Sequence, residues 1–286
     1  MLREIRDLGF EYAELSHGIR ISLLPGVFEA VDSGEIKIST LHNFCPLPMG
    51  VTHAAPNIFK FSSLDPRERE SAFRHTVKTF ETAQRVKAKV VVLHLGCIEM
   101  KDYTERLVDL LEKGQKESPK YEKICQEALL KQEEKKARHV QAVREMLPRL
   151  IAEAEPRGLK LGIENREALE EIPLDRDFEN FLRDFDHPVV GYWHDTGHAQ
   201  IKHHLGFIHH RLQLETLAPR LLGFHIHDVQ FPARDHRSPG TGSIDFSALK
   251  PLQKPEHIKV FEFSPGLTIE EVKSGVAHVR VLWDTP

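Results

Sequence analysis

Six residues of metal-binding or proton-carrying type each close a short apolar run. They are His42 after ISTL, His94 after VVVL, Glu164 after LGI, Asp195 after VVGYWH, His225 after LLGF and Glu262 after IKVF. A buried carboxylate without a partner is costly. Several converging on one place repel one another unless a cation neutralises them, and a divalent metal does so. Glutamate, aspartate and histidine form a borderline donor set that suits Mn, Co, Mg or Zn. Taken singly, each residue is equally well explained as a hydrogen-bonded imidazole or a surface acid. Their shared position at run ends is what points to a metal. Of 18 histidines, nine fall between His187 and His227, so imidazole chemistry concentrates there.

The elements that must hold these residues are strands alternating with helices. Seven runs read as strands: 12–16, 36–44, 90–96, 160–165, 189–193, 221–228 and 258–263. Segments such as 71–86 and 178–185 carry apolar residues at helical spacing. Such alternation along a whole chain means a parallel sheet covered by helices. Near-continuous Val and Leu in VVVL suits a strand buried on both faces. The pattern predicts an α/β TIM-type (β/α)8 barrel, a single domain over 1–286, with chemistry at the C-terminal strand ends. The charged stretch at about 99–156 breaks the rhythm. It reads as a helical insertion, with Gly114 and Ser118-Pro119 as the turn between two helices.

Local signals refine the site. In GYWHDTGH (191–198), alternation puts Asp195 and His194 on opposite faces, and His198 on the next turn can curl back over the site. In HIHD (225–228), His225 and His227 share a face, and Asp228 is placed to orient one of them. Arg166 shares a face with Glu164. It either clamps a substrate anion or pairs with Glu167 or a neighbour. Arg234 and Arg237 flank His236 in a Pro/Gly loop that reads as a lid. Gly240-Thr-Gly242, before a helix start at Ser243 or Asp245, either binds phosphate or caps the helix. Glu14 and His17 line the pocket or are polar edge residues. His203, His204, His209 and His210, on a helical stretch without a carboxylate, are expected at the surface or a subunit contact. Cys97 reads as a buried structural thiol, and Tyr192 and Trp193 as packing residues.

Composition narrows the class. Acidic residues (43) exceed basic ones (39), which disfavours a general basic nucleic-acid binder. No apolar run approaches the roughly 18 residues of a membrane span, and the N-terminus lacks the apolar core of a signal peptide. Three scattered cysteines without CxxC argue against a disulfide scaffold and fit a cytoplasmic protein.

Five motifs carry a family resemblance: IEN around Glu164, HDTGH from His194 to His198, HIHD from His225 to Asp228, DHRSPGTGSIDF from Asp235 to Phe246, and FEFSP around Glu262. In type and order they resemble the xylose isomerase-like TIM-barrel superfamily, over about the whole chain. That group takes in sugar and sugar-phosphate isomerases and epimerases, and also endonuclease IV. The resemblance implies one divalent metal held by Glu164, Asp195, His225 and Glu262 and chelating two neighbouring substrate oxygens. It implies that Glu164 and Glu262 move a proton on and off the carbon beside the carbonyl, through a metal-bound enediolate, with His198 assisting. Arg166, His227, His236 and Arg237 are then the candidates for holding a small-molecule sugar or sugar phosphate. The chemistry is consistent: a metal lowers the cost of the developing oxyanion and a carboxylate takes the proton.

Endonuclease IV-like relatives carry more ligands and hold three zinc ions. His42 and His94 match one extra position, bridged by Glu164. His198 and His236 match two of three ligands for another. The third is normally an aspartate two residues before His236; this chain has Arg234 there, and Asp235 is one residue out of phase. The alternatives implied are a phosphodiesterase with two or three zinc ions acting on abasic DNA, a keto-sugar or inosose dehydratase, and a non-catalytic metal- or sugar-binding barrel. Family members often associate, which leaves a homo-oligomer open. They usually open with a strand, whereas this sequence begins in helix-like LREIRDLGF. The expectation is therefore an upstream start or a branch without the first strand.

Overall fold

A computed structural model describes residues 1–284. In chain order the elements begin α1 (Leu2–Asp7), β1 (Tyr12–Leu15), α2 (Leu24–Asp32), β2 (Lys37–His42), α3 (Pro66–Arg85) and β3 (Val90–Leu93). They continue α4 (Thr104–Glu112), α5 (Pro119–Ala154), β4 (Lys160–Glu164), α6 (Phe178–Asp184), β5 (Val190–Asp195), α7 (Thr196–Leu205) and α8 (His210–Leu217). The chain closes with β6 (Leu221–Ile226), β7 (Asp228–Gln230), β8 (Arg234–Arg237), α9 (Phe246–Leu249), β9 (Ile258–Phe261) and α10 (Ile269–Trp283). Each of the seven expected runs contains a strand of the parallel sheet, and the expected insertion becomes α4 and α5, with Gly114 at positive φ between them.

The chain divides into two compact units. Unit one holds Met1–Cys97, Arg138–Glu164 and Phe185–Gly191. Its strands β1 to β4 pair in order and in parallel, with Leu15 beside Leu41, His42 beside Val92 and Leu93 beside Ile163. β3 is buried throughout, as a strand covered on both faces must be. The helix α3 starts where Asp65 accepts the Arg67 N–H and Pro66 pre-sets the first turn.

Unit two holds Ile98–Ala137, Asn165–Asp184 and the chain from Tyr192 onward. Here β5, β6 and β9 pair in parallel, with Asp195 beside His225 and His225 beside Val260. Alternation along β5 turns Tyr192 and His194 toward helices: Tyr192 meets Phe178 of α6 edge-on at 5.2 Å, and His194 faces His210 of α8. Trp193 and Asp195 take the other face. The run 221–228 is not one strand. It breaks at His227, and β7 then pairs antiparallel with β8, Asp228 beside Arg237. An ordered hairpin therefore stands where a loose Pro/Gly lid was expected.

Candidate metal centre

In unit one, β2 and β4 end on predicted ligands, His42 and Glu164, and His94 directly follows β3. His42 Nε2 lies 3.8 Å from Glu164 Oε2, and His94 Nε2 contacts the same oxygen. His42 Nδ1 faces the Asn43 carbonyl at 3.1 Å, which puts its proton there and the Nε2 lone pair toward Glu164. The His42 and His94 rings meet edge-on at 4.4 Å, and His17 abuts His42 at 4.9 Å. Glu14 instead accepts from the Thr40 hydroxyl at 2.6 Å.

In unit two, Asp195, His225 and Glu262 present ligand atoms all within 4.8 Å of one another. His225 Nδ1 is 3.4 Å from Glu262 Oε2 and 3.9 Å from Asp195 Oδ2. Asp195 is held on every side. The Asn165 carboxamide accepts its N–H at 2.7 Å and donates to its carbonyl at 3.0 Å. Its carboxylate accepts the His198 N–H at 2.7 Å, so Asp195 is both expected ligand and N-cap of α7.

His227 does not face outward. Its Nδ1 accepts the His236 backbone N–H at 2.9 Å, so the proton sits on Nε2, which donates to Asp195 at 3.1 Å. Both nitrogens of this fully buried ring are engaged within the protein, and substrate contact is replaced by support of Asp195. Asp228, expected to orient one of the two imidazoles, instead accepts four backbone N–H groups, from Val229, Gly240, Gly242 and Ile244. The glycine turn considered for phosphate is thus filled by a carboxylate of the chain.

His236 stacks on His227 at 4.2 Å, with Nδ1 3.1 Å from Asp235 and Nε2 3.8 Å from Glu262. Burial opposes its charge, but the Asp235 and Glu262 carboxylates prevail and push it up to about 11. His198, on the first turn of α7, directs Nδ1 at the Asn165 carbonyl, 3.0 Å away. Asp235 does reach its neighbourhood: Glu167, His198 and Asp235 present ligand atoms within 4.8 Å, while His236 groups with His227 and Glu262. Sequence reasoning weighed Glu167 only as a partner of Arg166. Arg166 pairs with Glu171 instead, Nε to Oε1 at 3.1 Å, both buried. Arg237 Nε has no acceptor among the described residues.

His204 and His210 also depart from expectation, being buried rather than on the surface. His210 Nδ1 must donate to Gln200 Oε1 at 2.9 Å, so its Nε2 accepts from His194 at 3.0 Å. His194 Nδ1 lies 2.7 Å from the Tyr192 hydroxyl, which also donates to Asn165 Oδ1 at 3.1 Å. Gln200 donates onward to His204 Nε2 at 3.0 Å, and His204 Nδ1 donates to the Pro232 carbonyl at 2.8 Å. Cys97 is half-buried, and all three cysteines are free thiols. No helix among the described residues is long and apolar enough to cross a membrane.

Parallel strands whose ends carry carboxylates and imidazoles define an α/β barrel with candidate metal-ligand groups. The chain belongs to the xylose isomerase-like TIM-barrel family, whose model matches residues 2–255. Solved structures agree on the fold. A D-tagatose 3-epimerase-like protein is 17% identical, with a TM-score of 0.69 over 98% of this chain and 91% of its own. The 3-keto-D-glucoside 4-epimerase of E. coli is 14% identical, with a TM-score of 0.67 over 98% and 92%. The IolI protein, solved with a zinc atom, is 18% identical, with a TM-score of 0.65 over 99% and 93%. No curated protein matches the sequence.

Proposed function

We propose that this protein is a divalent-metal-dependent isomerase or epimerase of a small sugar or polyol, working by glutamate-mediated proton transfer. The observation that carries the reading is the convergence of Asp195, His225 and Glu262. Two carboxylates and an imidazole suit a divalent ion. Only Glu262 of the three is open to solvent, at 29% of its side chain against 0% for the others, as a group that meets substrate must be. The family resemblance adds Glu164 to this reading as a fourth ligand. A bound ion would supply a Lewis acid that lowers the cost of charge on the substrate carbonyl oxygen.

The residues of the chain then divide the work. Glu262 Oε2 takes the proton from the carbon beside the carbonyl, and Glu164 is the second glutamate of the pair, as the family resemblance implies. His198 keeps its proton on Nδ1 and offers Nε2 to a substrate hydroxyl. Tagatose and keto-glucoside epimerases among the structural neighbours make ketoses the substrates to try first. The test is metal content on protein purified without chelators, followed by solvent deuterium exchange into a ketose panel. About one Mn, Co, Mg or Zn per chain, with exchange, supports the reading. No metal even after soaking removes it.

One observation favours a second reading. His42 and His94 both contact Glu164, the pattern of an additional metal. Two or three zinc ions per chain with cleavage of abasic DNA would move the assignment to a zinc phosphodiesterase. Loss of water from a keto-sugar, without interconversion, would move it to a dehydratase.

A further inference from the structure

We propose that His236 is a positioning residue that braces the Asp195 and Glu262 carboxylates toward one ion; this rests on the reading of those two carboxylates as ligands above. The family resemblance makes His236 a candidate for holding substrate or a further metal. The structure gives each part of the residue another task.

The backbone is the first sign. His236 has a φ of 52°, in the left-handed region that residues with a Cβ rarely enter. Among the described residues the one other non-glycine residue so placed is Lys87, in the turn after α3. Such a conformation persists where its surroundings over-determine it, and it clusters at functional sites. The surroundings here are specific. The His236 N–H donates to His227 Nδ1 at 2.9 Å, which leaves the His227 proton on Nε2, facing Asp195. The His236 carbonyl accepts the Ser264 N–H at 3.0 Å, two residues beyond Glu262. The main chain of one residue thus joins the support of one carboxylate to the segment that carries the other.

The ring completes the brace. It lies flat on His227, with planes 8° apart and centroids 4.2 Å apart. Stacking leaves the imidazole free to turn in its own plane, and its two nitrogens oppose that turn. Nδ1 faces Asp235 Oδ2 at 3.1 Å, and Nε2 faces Glu262 Oε2 at 3.8 Å. The hairpin strand β8 therefore supplies both the ring and, in Asp235, its anchor. Glu262 has more need of a brace than Asp195. It stands one residue beyond β9 with 29% of its side chain exposed, whereas Asp195 is fully buried. Ligation has to remove the rotamer freedom of an exposed glutamate, and an imidazole already fixed in place removes part of it beforehand.

The experiment titrates zinc alone against a chromophoric chelator in four proteins: wild type, His236→Asn, Glu262→Ala and the double variant. Asparagine tolerates the left-handed backbone, so the bonds to His227 and Ser264 stay while the reach to Glu262 is lost. Zinc binding should weaken roughly 10–100-fold in His236→Asn. The same change made in Glu262→Ala should cost no more than about twofold, because the group it acts through is gone. A merely structural role, or direct ligation by His236, would weaken zinc equally in both backgrounds, so losses that multiply overturn the proposal. Unchanged affinity in His236→Asn overturns it as well. His236→Gly, which enters this backbone region without steric cost, gives the same comparison where the asparagine variant does not fold. Unchanged affinity in Glu262→Ala defeats the ligand reading, and this proposal with it; unchanged affinity in His236→Asn alone defeats only this one.

Discussion

His227 donates to the Asp195 carboxylate at 3.1 Å while the His236 backbone N–H fixes its tautomer from the other side at 2.9 Å. The imidazole supports the carboxylate that the proposed metal site would use. Partners of this kind orient and charge-tune the group that meets the metal, and their loss costs about 10–100-fold in affinity. His227→Gln should therefore bind a divalent ion roughly 10–100-fold more weakly while keeping its fold. Competition against a chromophoric chelator reads the affinity. Unchanged affinity would mean that Asp195 needs no help from this ring.

The two glutamates should behave differently from that support. Glu164→Gln and Glu262→Gln keep the size and some ligating capacity but cannot take a proton. Each should lower exchange at the substrate carbon by at least about 100-fold, the lower end of a general base's contribution. A variant that retains near-wild-type exchange removes its glutamate from the proposed pair.

Asp228 makes a prediction about stability alone. Its buried carboxylate accepts four backbone N–H groups, one from adjacent Val229 and three from a turn that begins twelve residues later in the chain. Asp228→Asn removes the charge and turns one acceptor into a donor facing donors. Hydrogen bonds to charged groups contribute about 1.5–3 kcal/mol each, and leaving buried N–H groups unpaired adds to the loss. A drop of at least about 2 kcal/mol is expected, roughly 5 °C in Tm for a chain of this size. Gly242→Ala should act in the same direction, because its Cβ would lie 2.3 Å from Asp228 Oδ1 and 2.4 Å from the Val229 carbonyl. Calorimetric scans of the two variants check both. An unshifted Tm for Asp228→Asn would mean the turn holds itself.

The same residue shows where sequence reading stopped. The strands were legible because Val, Ile and Leu runs bounded by turn residues have few alternatives in an α/β chain. The candidate ligands could be picked out because Glu164, Asp195 and His225 fall at or near the ends of strands and Glu262 directly follows one. Asp228 was misread because its partners are backbone groups at Gly240 and Gly242, which no side-chain pattern announces. His204 and His210 were misplaced because paired histidines look polar. Their burial depends on Gln200 and Pro232, which lie on other turns and loops. Arg166 found Glu171 and not the adjacent Glu167, since neighbours in sequence do not share a face.

The buried imidazole chain sets a pH dependence. Burial, and for His210 the neighbouring His194, lowers the proton affinity of His204 and His210 in the folded state. An unfolded histidine titrates near 6.5. A folded value below the unfolded one means that stability is full above about pH 6.5 and is lost as pH falls from there toward the folded value. His236, raised to about 11, acts in the opposite sense: its contribution is full below about pH 6.5 and is lost as pH rises, so it offsets part of the fall between pH 7.5 and 5.5. Urea unfolding at pH 7.5, 6.5 and 5.5 should show stability falling by up to about 1.4 kcal/mol per pH unit for each imidazole. His210→Gln should flatten the fall. A profile that stays level down to pH 5.5 would mean that the rings are protonated without cost.

Trp193 offers a readout of the metal that does not depend on turnover. Its ring lies edge-to-face with His225, centroids 5.2 Å apart. The fit is close enough that β6 carries glycine opposite: a Cβ at Gly223 would lie 2.6 Å from Trp193 Cζ3 and 2.5 Å from the Ile258 carbonyl. Gly223→Ala should thus cost about 1–3 kcal/mol, as overpacking does. The sequence holds two tryptophans. Trp283 donates to the Phe246 carbonyl at 2.8 Å, whereas the Trp193 N–H has no acceptor among the described residues. Emission is therefore separable by single substitution. Titration with Co or Mn, ions that quench indole at short range, should dim the wild type and Trp283→Phe alike. In Trp193→Phe the remaining indole should stay bright. Quenching that survives Trp193→Phe and vanishes in Trp283→Phe would place the ion away from His225, and the ligand assignment of Asp195, His225 and Glu262 would go with it.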